Sequence, residues 1–214
     1  MKLYGAPFSC ALASNIVARE LGVDLEYDWV QLSTKQTLAG ETYTDINPKG
    51  KVPALVFDDG RVLTEGVAVM AALADDNAGA GLLPPPGSPE RATAMEWLTY
   101  LSTELHKKIF YPAFNPHAPQ EAKAFGLSML PAELAYIDGV LANRDFVAGE
   151  RFTPADAYLA TILNWATFLE TDFLPYPNLV DYRARVMARP AVSAAFAQEG
   201  QLFEEHAALR PDAK

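Results

Sequence analysis

The chain has 214 residues, enough to bury one large core or two modest ones. Its 17 Lys plus Arg against 27 Asp plus Glu give a net charge of −10 with no basic run, which argues against nucleic acid as a partner. Half the residues are hydrophobic, the single cysteine excludes an intrachain disulfide or a CxxC pair, and the 3 His stand apart from any Cys or Asp cluster, so no metal site is expected.

Lys2 to Tyr4 reads as a buried strand. After the turn at Pro7, Cys10 to Leu21 reads as a helix, with Leu12, Ile16, Val17 and Leu21 at helical spacing and Gly22 as its stop. Cys10 opens that helix. Unpaired backbone N–H groups and the positive end of the helix dipole stabilise a thiolate there. The plainer reading is a small buried thiol. Leu25 to Val30 is a second strand, and a polar stretch from Ser33 to Asp45 follows. Val52 to Phe57 is a third strand, Asp59-Gly60 a two-residue hairpin turn, and Arg61 to Leu63 a short fourth strand. A helix from Glu65 to about Asp76 closes a β-α-β, hairpin, helix order, which is that of a thioredoxin-like half.

Ala78 to Pro89 is dense in Gly and Pro and reads as a linker. Beyond it, Glu90 to Tyr111, Gln120 to Leu141, Pro154 to Glu170, Leu179 to Met187 and Val192 to Gln198 all read as helices, with no strand among them. The expected fold class is therefore an α/β thioredoxin-like domain over 1–78, a linker over 79–88 and an all-α domain over 89–214. Gly200 to Lys214 reads as a polar, frayed tail. The N-terminus shows no signal peptide, and no stretch approaches ~18 consecutive apolar residues. A soluble, cytoplasmic protein without a membrane part is expected.

Several motifs lie in order along this frame: Lys2-Leu-Tyr4, Ser9-Cys10, Ile46-Asn-Pro-Lys-Gly-Lys-Val-Pro53, Leu63-Thr-Glu-Gly-Val67, Glu96-Trp97-Leu98, Glu104-Leu-His-Lys107 and Phe152-Thr-Pro-Ala-Asp-Ala-Tyr158. Together they resemble the cytosolic glutathione S-transferases, and among them the bacterial beta class. The resemblance implies the corresponding two-domain fold, a homodimer, and glutathione as co-substrate. The activity it implies is addition of the glutathione thiolate to small hydrophobic electrophiles, with thiol-disulfide exchange through Cys10 beside it. The alternative reading is a glutathione-dependent carrier of hydrophobic ligands with little turnover.

Residue by residue, the resemblance sets Cys10 against the glutathione sulfur, where it can form a mixed disulfide. Val52-Pro53 is read as a cis peptide whose Val52 N–H and C=O stay off the sheet and pair with the cysteinyl backbone of glutathione, a β-augmentation. As a local motif it is equally an edge-strand proline. Thr64-Glu65-Gly66 reads locally as a helix start with Thr64 as N-cap. Under the resemblance, Glu65 meets the γ-glutamyl ammonium and the Gly66 N–H its carboxylate. Many other classes have Ser where Gly66 stands, and Ser is common where Ala11 follows the cysteine. Lys35 is a surface lysine by position and a partner of the glycyl carboxylate by resemblance.

His106 and Lys107 lie one step off an apolar stripe of Trp97, Leu98, Leu101, Leu105 and Ile109. Spacing alone makes His106 a solvent-edge residue. The resemblance makes it a proton-transfer or sulfur-binding group, groups Lys107 with the glutathione-site residues, and brings Thr103 and Glu104 to the partner subunit's glutathione site. Phe110, Tyr111, Phe114, Trp165 and Phe168 are the nominees for the electrophile pocket, each also compatible with plain core packing. One residue is inserted between Lys107 and Phe114 relative to the beta-class spacing. Thr153-Pro-Ala-Asp156 is a structural capping box, with Phe152 placed to staple the first turn.

Overall fold

The computed structural model describes residues 1–206. They divide into two compact units, Met1–Leu82 with the last helix, and Leu83–Ala188.

In the first unit the elements run β1 (Lys2–Gly5), α1 (Ala11–Glu20), β2 (Glu26–Gln31), β3 (Gln36–Thr37), α2 (Tyr43–Ile46), β4 (Ala54–Val56), β5 (Val62–Thr64), α3 (Gly66–Asp76) and a 3₁₀ turn at Ala78–Ala80. The sheet order is β3-β2-β1-β4-β5. β1 lies parallel to β2, with Leu3 opposite Tyr27, and antiparallel to β4, with Leu3 opposite Leu55. A β-α-β crossover through α1 produces the parallel pair, and the Asp59-Gly60 turn produces the antiparallel β4-β5 hairpin, with Leu55 opposite Leu63. Leu3, Leu12, Ile16, Leu55, Met70 and Leu73 are wholly buried and make the core beneath α1 and α3.

The second unit contains α4 (Pro89–Tyr100), α5 (Tyr111–Phe114), α6 (Gln120–Leu141), α7 (Pro154–Phe168) and α8 (Pro177–Met187). Ser88 caps α4 by accepting from the Arg91 N–H. The sequence predicts one helix from Glu90 to Tyr111. Instead, α4 passes into wide π-type turns over Leu101–Phe110, where the Tyr111 N–H reaches the His106 carbonyl five residues back. The wider turn keeps Leu101, Leu105, Ile109 and Phe110 buried together. α7 is buried along almost its whole length and is the axis of this unit.

The last helix, α9 (Pro190–Glu205), departs from expectation in extent and in place. It covers part of the segment read as a frayed tail, and it packs on α1 rather than joining the all-helical half. Val192 and Ala195 are its buried apolar positions, and Arg189 at its cap pairs bidentately with Glu20 at the end of α1, at 2.7 and 2.6 Å. The rest of that tail, 207–214, lies outside the described residues. β3 and α2 fall in the stretch read only as polar; their short lengths carry no periodicity. By length and composition alone α6 is long and apolar enough to cross a bilayer, although polar residues interrupt its apolar run. Here it packs against the π segment, α5 and α8.

Candidate active site

In the first unit, the turn between β1 and α1 sets the thiol. Cys10 is the N-cap of α1, and Ser9 Oγ accepts from the Ala11 N–H at 3.2 Å, satisfying one donor of the first turn. Cys10 is partly exposed, and its Sγ lies 3.3 Å from the Val52 carbonyl oxygen, donating to it. Val52-Pro53 is cis. Val52 precedes β4, so it stands off the ladder as expected, and its N–H has no acceptor among the described residues. Its carbonyl is likewise off the ladder and is engaged by a side chain instead. The thiol holds it.

Behind Val52, the loop from Asn47 is braced by a buried asparagine. Asn47 Nδ2 donates to the Lys51 carbonyl at 2.6 Å, Tyr43 Oη donates to the same oxygen at 2.8 Å, and Asn47 Oδ1 accepts from the Lys49 N–H at 3.1 Å. Three hydrogen bonds within the loop and from α2 leave it little freedom, and Val52-Pro53 inherits that rigidity. Lys35 sits near the same loop in a left-handed conformation at φ 59°, and its Nζ donates to the Gly50 carbonyl at 2.8 Å. Burial, with Lys51 nearby, pushes its ammonium below the ordinary lysine value.

Glu65 rather than Thr64 is the N-cap of α3. Thr64 is held in the β5 ladder opposite Ala54, so the cap falls one residue later than the sequence motif suggests. Glu65 has φ 70°, an uncommon conformation for a non-glycine residue. Its Oε1 accepts from Lys49 Nζ at 2.7 Å, and the same ammonium reaches Thr64 Oγ1 at 2.9 Å. Gly66 lies against Pro53; a Cβ built on it would meet the proline ring at 3.7 Å, ordinary contact. The cysteine turn, the cis proline, Glu65 and Gly66 therefore converge. Of the four non-glycine residues with positive φ among those described, Phe8, Lys35 and Glu65 lie on these loops, and no sequence signal marked that backbone conformation.

In the second unit, the π segment and α7 bring one group of side chains together. His106 Nδ1 is 2.6 Å from Tyr158 Oη, and the His106 ring meets Trp165 edge-on at 4.8 Å. Phe110 packs edge-on against Trp165 at 5.7 Å and stacks with Phe114 at 6.3 Å. Phe110 and Trp165 are buried, whereas Tyr111, Phe114 and Phe168 expose about half their surface. The nominated rings thus separate into a buried pair that lines His106 and a set presented outward. Lys107 Nζ sits over the Tyr111 ring at 4.8 Å. Glu104 pairs with Lys108 at 2.8 Å, which holds its carboxyl below the ordinary range, and Thr103 Oγ1 bonds back to the Thr99 carbonyl. Tyr158, quoted in the sequence only as part of a capping motif, is the partner of His106 that the sequence did not single out.

The capping box at the start of α7 is present, with Thr153 and Asp156 reciprocally bonded. Asp156 also accepts from the Val147 N–H and from Tyr182 Oη, both at 3.0 Å. Burial nonetheless outweighs these bonds and raises its carboxyl to about 6. Phe152 is buried and packs edge-on against Phe146.

A thioredoxin-like sheet unit with a cis proline facing the start of its first helix, together with an all-helical unit, is the architecture of the cytosolic glutathione transferases. Residues 9–76 match the glutathione S-transferase N-terminal domain model and residues 102–190 the C-terminal domain model. The chain is 42% identical over 200 residues to glutathione S-transferase GstA of Escherichia coli O157:H7, covering 94% of this chain and 99% of that one. It superposes with a TM-score of 0.90 on a bacterial GST, BphK, solved as a ternary complex, at 39% identity over 94% of this chain and all of that one. A sphingomonad glutathione S-transferase complexed with glutathione gives 0.89 at 42% identity, covering 94% and 99%. The beta-class enzyme of Sphingomonas chungbukensis gives 0.89 at 38%, with the same coverage. The chain belongs to the glutathione S-transferase family, among neighbours of the bacterial beta class, and is a transferase with glutathione as its co-substrate.

Proposed function

We propose that this enzyme adds the glutathione thiolate to small hydrophobic electrophiles and also exchanges glutathione with disulfides through Cys10. The observation that carries the reading is the partly exposed Cys10 sulfur 3.3 Å from the carbonyl of Val52, beside a cis proline. A tripeptide lying along Val52 as an added strand pairs with its N–H and carbonyl and brings its own sulfur to the start of α1, where backbone N–H groups and the helix dipole favour an anion.

Glu65 then receives the γ-glutamyl ammonium in place of Lys49, and the Gly66 N–H at the head of α3 its carboxylate. Lys35 receives the glycyl carboxylate, its ammonium now turned to the Gly50 carbonyl. In conjugation the glutathione thiolate displaces the leaving group from the electrophile's carbon, forming a thioether and releasing an anion. In exchange, the Cys10 thiolate attacks the glutathione sulfur of a mixed disulfide; the departing thiolate takes a proton. A second glutathione thiolate then attacks the Cys10-bound sulfur, giving oxidised glutathione and the Cys10 thiolate. His106, oriented by Tyr158, is the proposed proton-transfer group, with Lys107 assigned beside it to the glutathione site. Phe110, Tyr111, Phe114, Trp165 and Phe168 are the proposed electrophile pocket. The working form is proposed to be a homodimer, with Thr103 and Glu104 facing the partner subunit's glutathione.

The test compares wild type and Cys10→Ala for a mass gain of one glutathione on the intact chain, for conjugation of a general aromatic halide, and for reduction of a glutathione mixed disulfide. The proposal expects the mass gain and the reduction to vanish in the variant. Unchanged values of both refute the role of Cys10, and absence of conjugation in wild type refutes the first activity.

A further inference from the structure

α9 carries an ionisable group that the chemistry above leaves unused. Glu199 is wholly buried. Its Oε2 accepts from the Phe8 N–H at 2.5 Å and its Oε1 from Tyr27 Oη at 3.4 Å. Phe8 lies two residues before Cys10 at φ 54°, a left-handed conformation that a bulky residue adopts only when its surroundings impose it.

The surroundings do so from two sides. One turn along α9 from Glu199, Phe203 packs edge-on against the Phe8 ring at 5.8 Å. Gln198 Oε1, next to Glu199, accepts from Asn15 and from Arg19 on α1, both at 2.9 Å, and ties the helix that begins at Cys10 to the same α9. Tyr27 reaches the carboxyl by crossing Gly5, where a Cβ would fall 2.4 Å from the Tyr27 oxygen; only glycine permits that path. A buried carboxyl on the last helix thus holds the turn that delivers the thiol.

We propose that Glu199 is a positioning residue for Cys10: by gripping the Phe8 N–H it fixes the left-handed turn that sets the sulfur at the Val52 carbonyl, and the gain or loss of its proton changes how fast Cys10 reacts. The charged and titratable groups facing it are Arg19 on α1 and Tyr27 on β2, and Tyr27 in turn senses Cys10. Arg19 and the hydrogen bonds from Phe8, Tyr27 and Asn15 favour the carboxylate, yet burial dominates and lifts the group to about 8. Tyr27 is itself pushed well up by burial and stays a neutral donor. Around pH 8 the carboxyl therefore passes from an acid to an anion that accepts the Phe8 N–H more strongly and adds a negative charge at the turn that carries the thiol.

The inference rests on Cys10 as the reactive group, and its test uses no glutathione, so failure here and failure of the proposed function are separable. The chain has 1 cysteine, so iodoacetamide labelling followed by intact mass reads Cys10 alone. Rates are measured from pH 6 to 10 for wild type, Glu199→Gln, Glu199→Ala and Tyr27→Phe, with the fold of each checked by circular dichroism. Wild type is expected to show a second inflection near pH 8 beyond that of the thiol itself. Glu199→Gln, which keeps an acceptor for Phe8 but cannot ionise, is expected to lose that inflection. Glu199→Ala should change the rate several-fold at every pH, and Tyr27→Phe should move the inflection to higher pH because the anion loses a donor. A Glu199→Gln profile that superimposes on wild type overturns the proposal, as does an inflection that Tyr27→Phe leaves in place. Should neither Glu199 variant fold, the Tyr27→Phe shift decides.

Discussion

Cys10 Sγ and the Val52 carbonyl oxygen, 3.3 Å apart, occupy each other in the free enzyme. A thiol donor is weak, so a peptide N–H can replace it at Val52 with little loss, and the sulfur is then released toward an incoming disulfide. Cys10→Ser puts a stronger donor at the same place without a competent nucleophile. Its reduction of a glutathione mixed disulfide should fall by at least about 100-fold, because the covalent route is lost. Its KM for glutathione should rise several-fold, because the serine hydroxyl competes for the carbonyl. Steady-state kinetics with both substrates measure the two effects; an unchanged KM would show that the carbonyl is not used by glutathione.

Gly66 has room for a side chain. A Cβ there meets only the Pro53 ring at 3.7 Å, and its φ is not in the left-handed region. Gly66→Ser should therefore fold normally. Its hydroxyl, at the head of α3, can add a hydrogen bond to the γ-glutamyl carboxylate, worth about 1 kcal/mol, so the KM for glutathione should drop by about five-fold with kcat little changed. Isothermal titration with glutathione checks the binding gain directly.

The elements that bury a regular face were legible. β1, β2, β4 and β5 follow apolar runs and a hairpin turn, and α6 and α7 follow helical spacing. The π segment was not, since a widened turn preserves the same apolar stripe and differs only in which carbonyl each N–H finds. The placement of Cys10 at the head of α1, the cis Val52-Pro53 bond and Glu65-Gly66 at the head of α3 were readable because their local motifs match a family pattern. What positions them was not. Asn47, Tyr43, Lys49 and Glu199 act through partners brought together by the fold, and Ala-Gln-Glu199-Gly reads along the chain as solvated surface. Buried polar groups have no periodicity, and their partners lie up to 191 residues away.

Asp156 ties four donors together: the Thr153 N–H and hydroxyl, the Val147 N–H and Tyr182 Oη. Asp156→Ala leaves them buried without an acceptor, which should cost about 3 kcal/mol or more. The loss should appear as a lower melting temperature and poorer refolding, while the fraction that folds should keep the wild-type KM for glutathione. Thr153→Ala should share the effect at smaller size, about 1 kcal/mol. Denaturant titration of both variants, alongside kinetics, separates folding from chemistry.

Gly126 of α6 lies directly against the backbone of the π segment. A Cβ there would sit 3.0 Å from the Lys108 carbonyl oxygen and 3.3 Å from that of Ile109, and both are backbone atoms that cannot swing aside. Alanine is the better helix former by about 1 kcal/mol. Overpacking against fixed backbone costs about 1–3 kcal/mol, so the sign should be net destabilising. Gly126→Ala is expected to unfold at lower urea with an unchanged m-value; a gain in stability would mean that the two helices separate freely at this point.

Two buried carboxyls tilt the pH dependence of stability in one direction. Asp156 is raised from 3.8 to about 6 and Glu199 from 4.5 to about 8. A carboxyl whose folded pKa is raised keeps its proton in the folded state after the unfolded chain has released it, so the folded state binds more protons across that window. Its stabilisation is complete below the unfolded value and is lost as pH rises to the folded one. Asp156 accordingly contributes a decline from about pH 4 to 6, and Glu199 continues it to about pH 8. Between pH 6 and 8 only Glu199 of the pair is still titrating, at up to about 1.4 kcal/mol per pH unit, or about 2 kcal/mol in all. The melting temperature should fall by several degrees from pH 6 to pH 8. Glu199→Gln should flatten that slope, because an amide has no proton to lose, while leaving the decline between pH 4 and 6 intact. Calorimetry of the two proteins at half-unit intervals distinguishes the contributions, and a wild-type stability that rises from pH 6 to 8 would mean that Glu199 is already ionised in the folded chain.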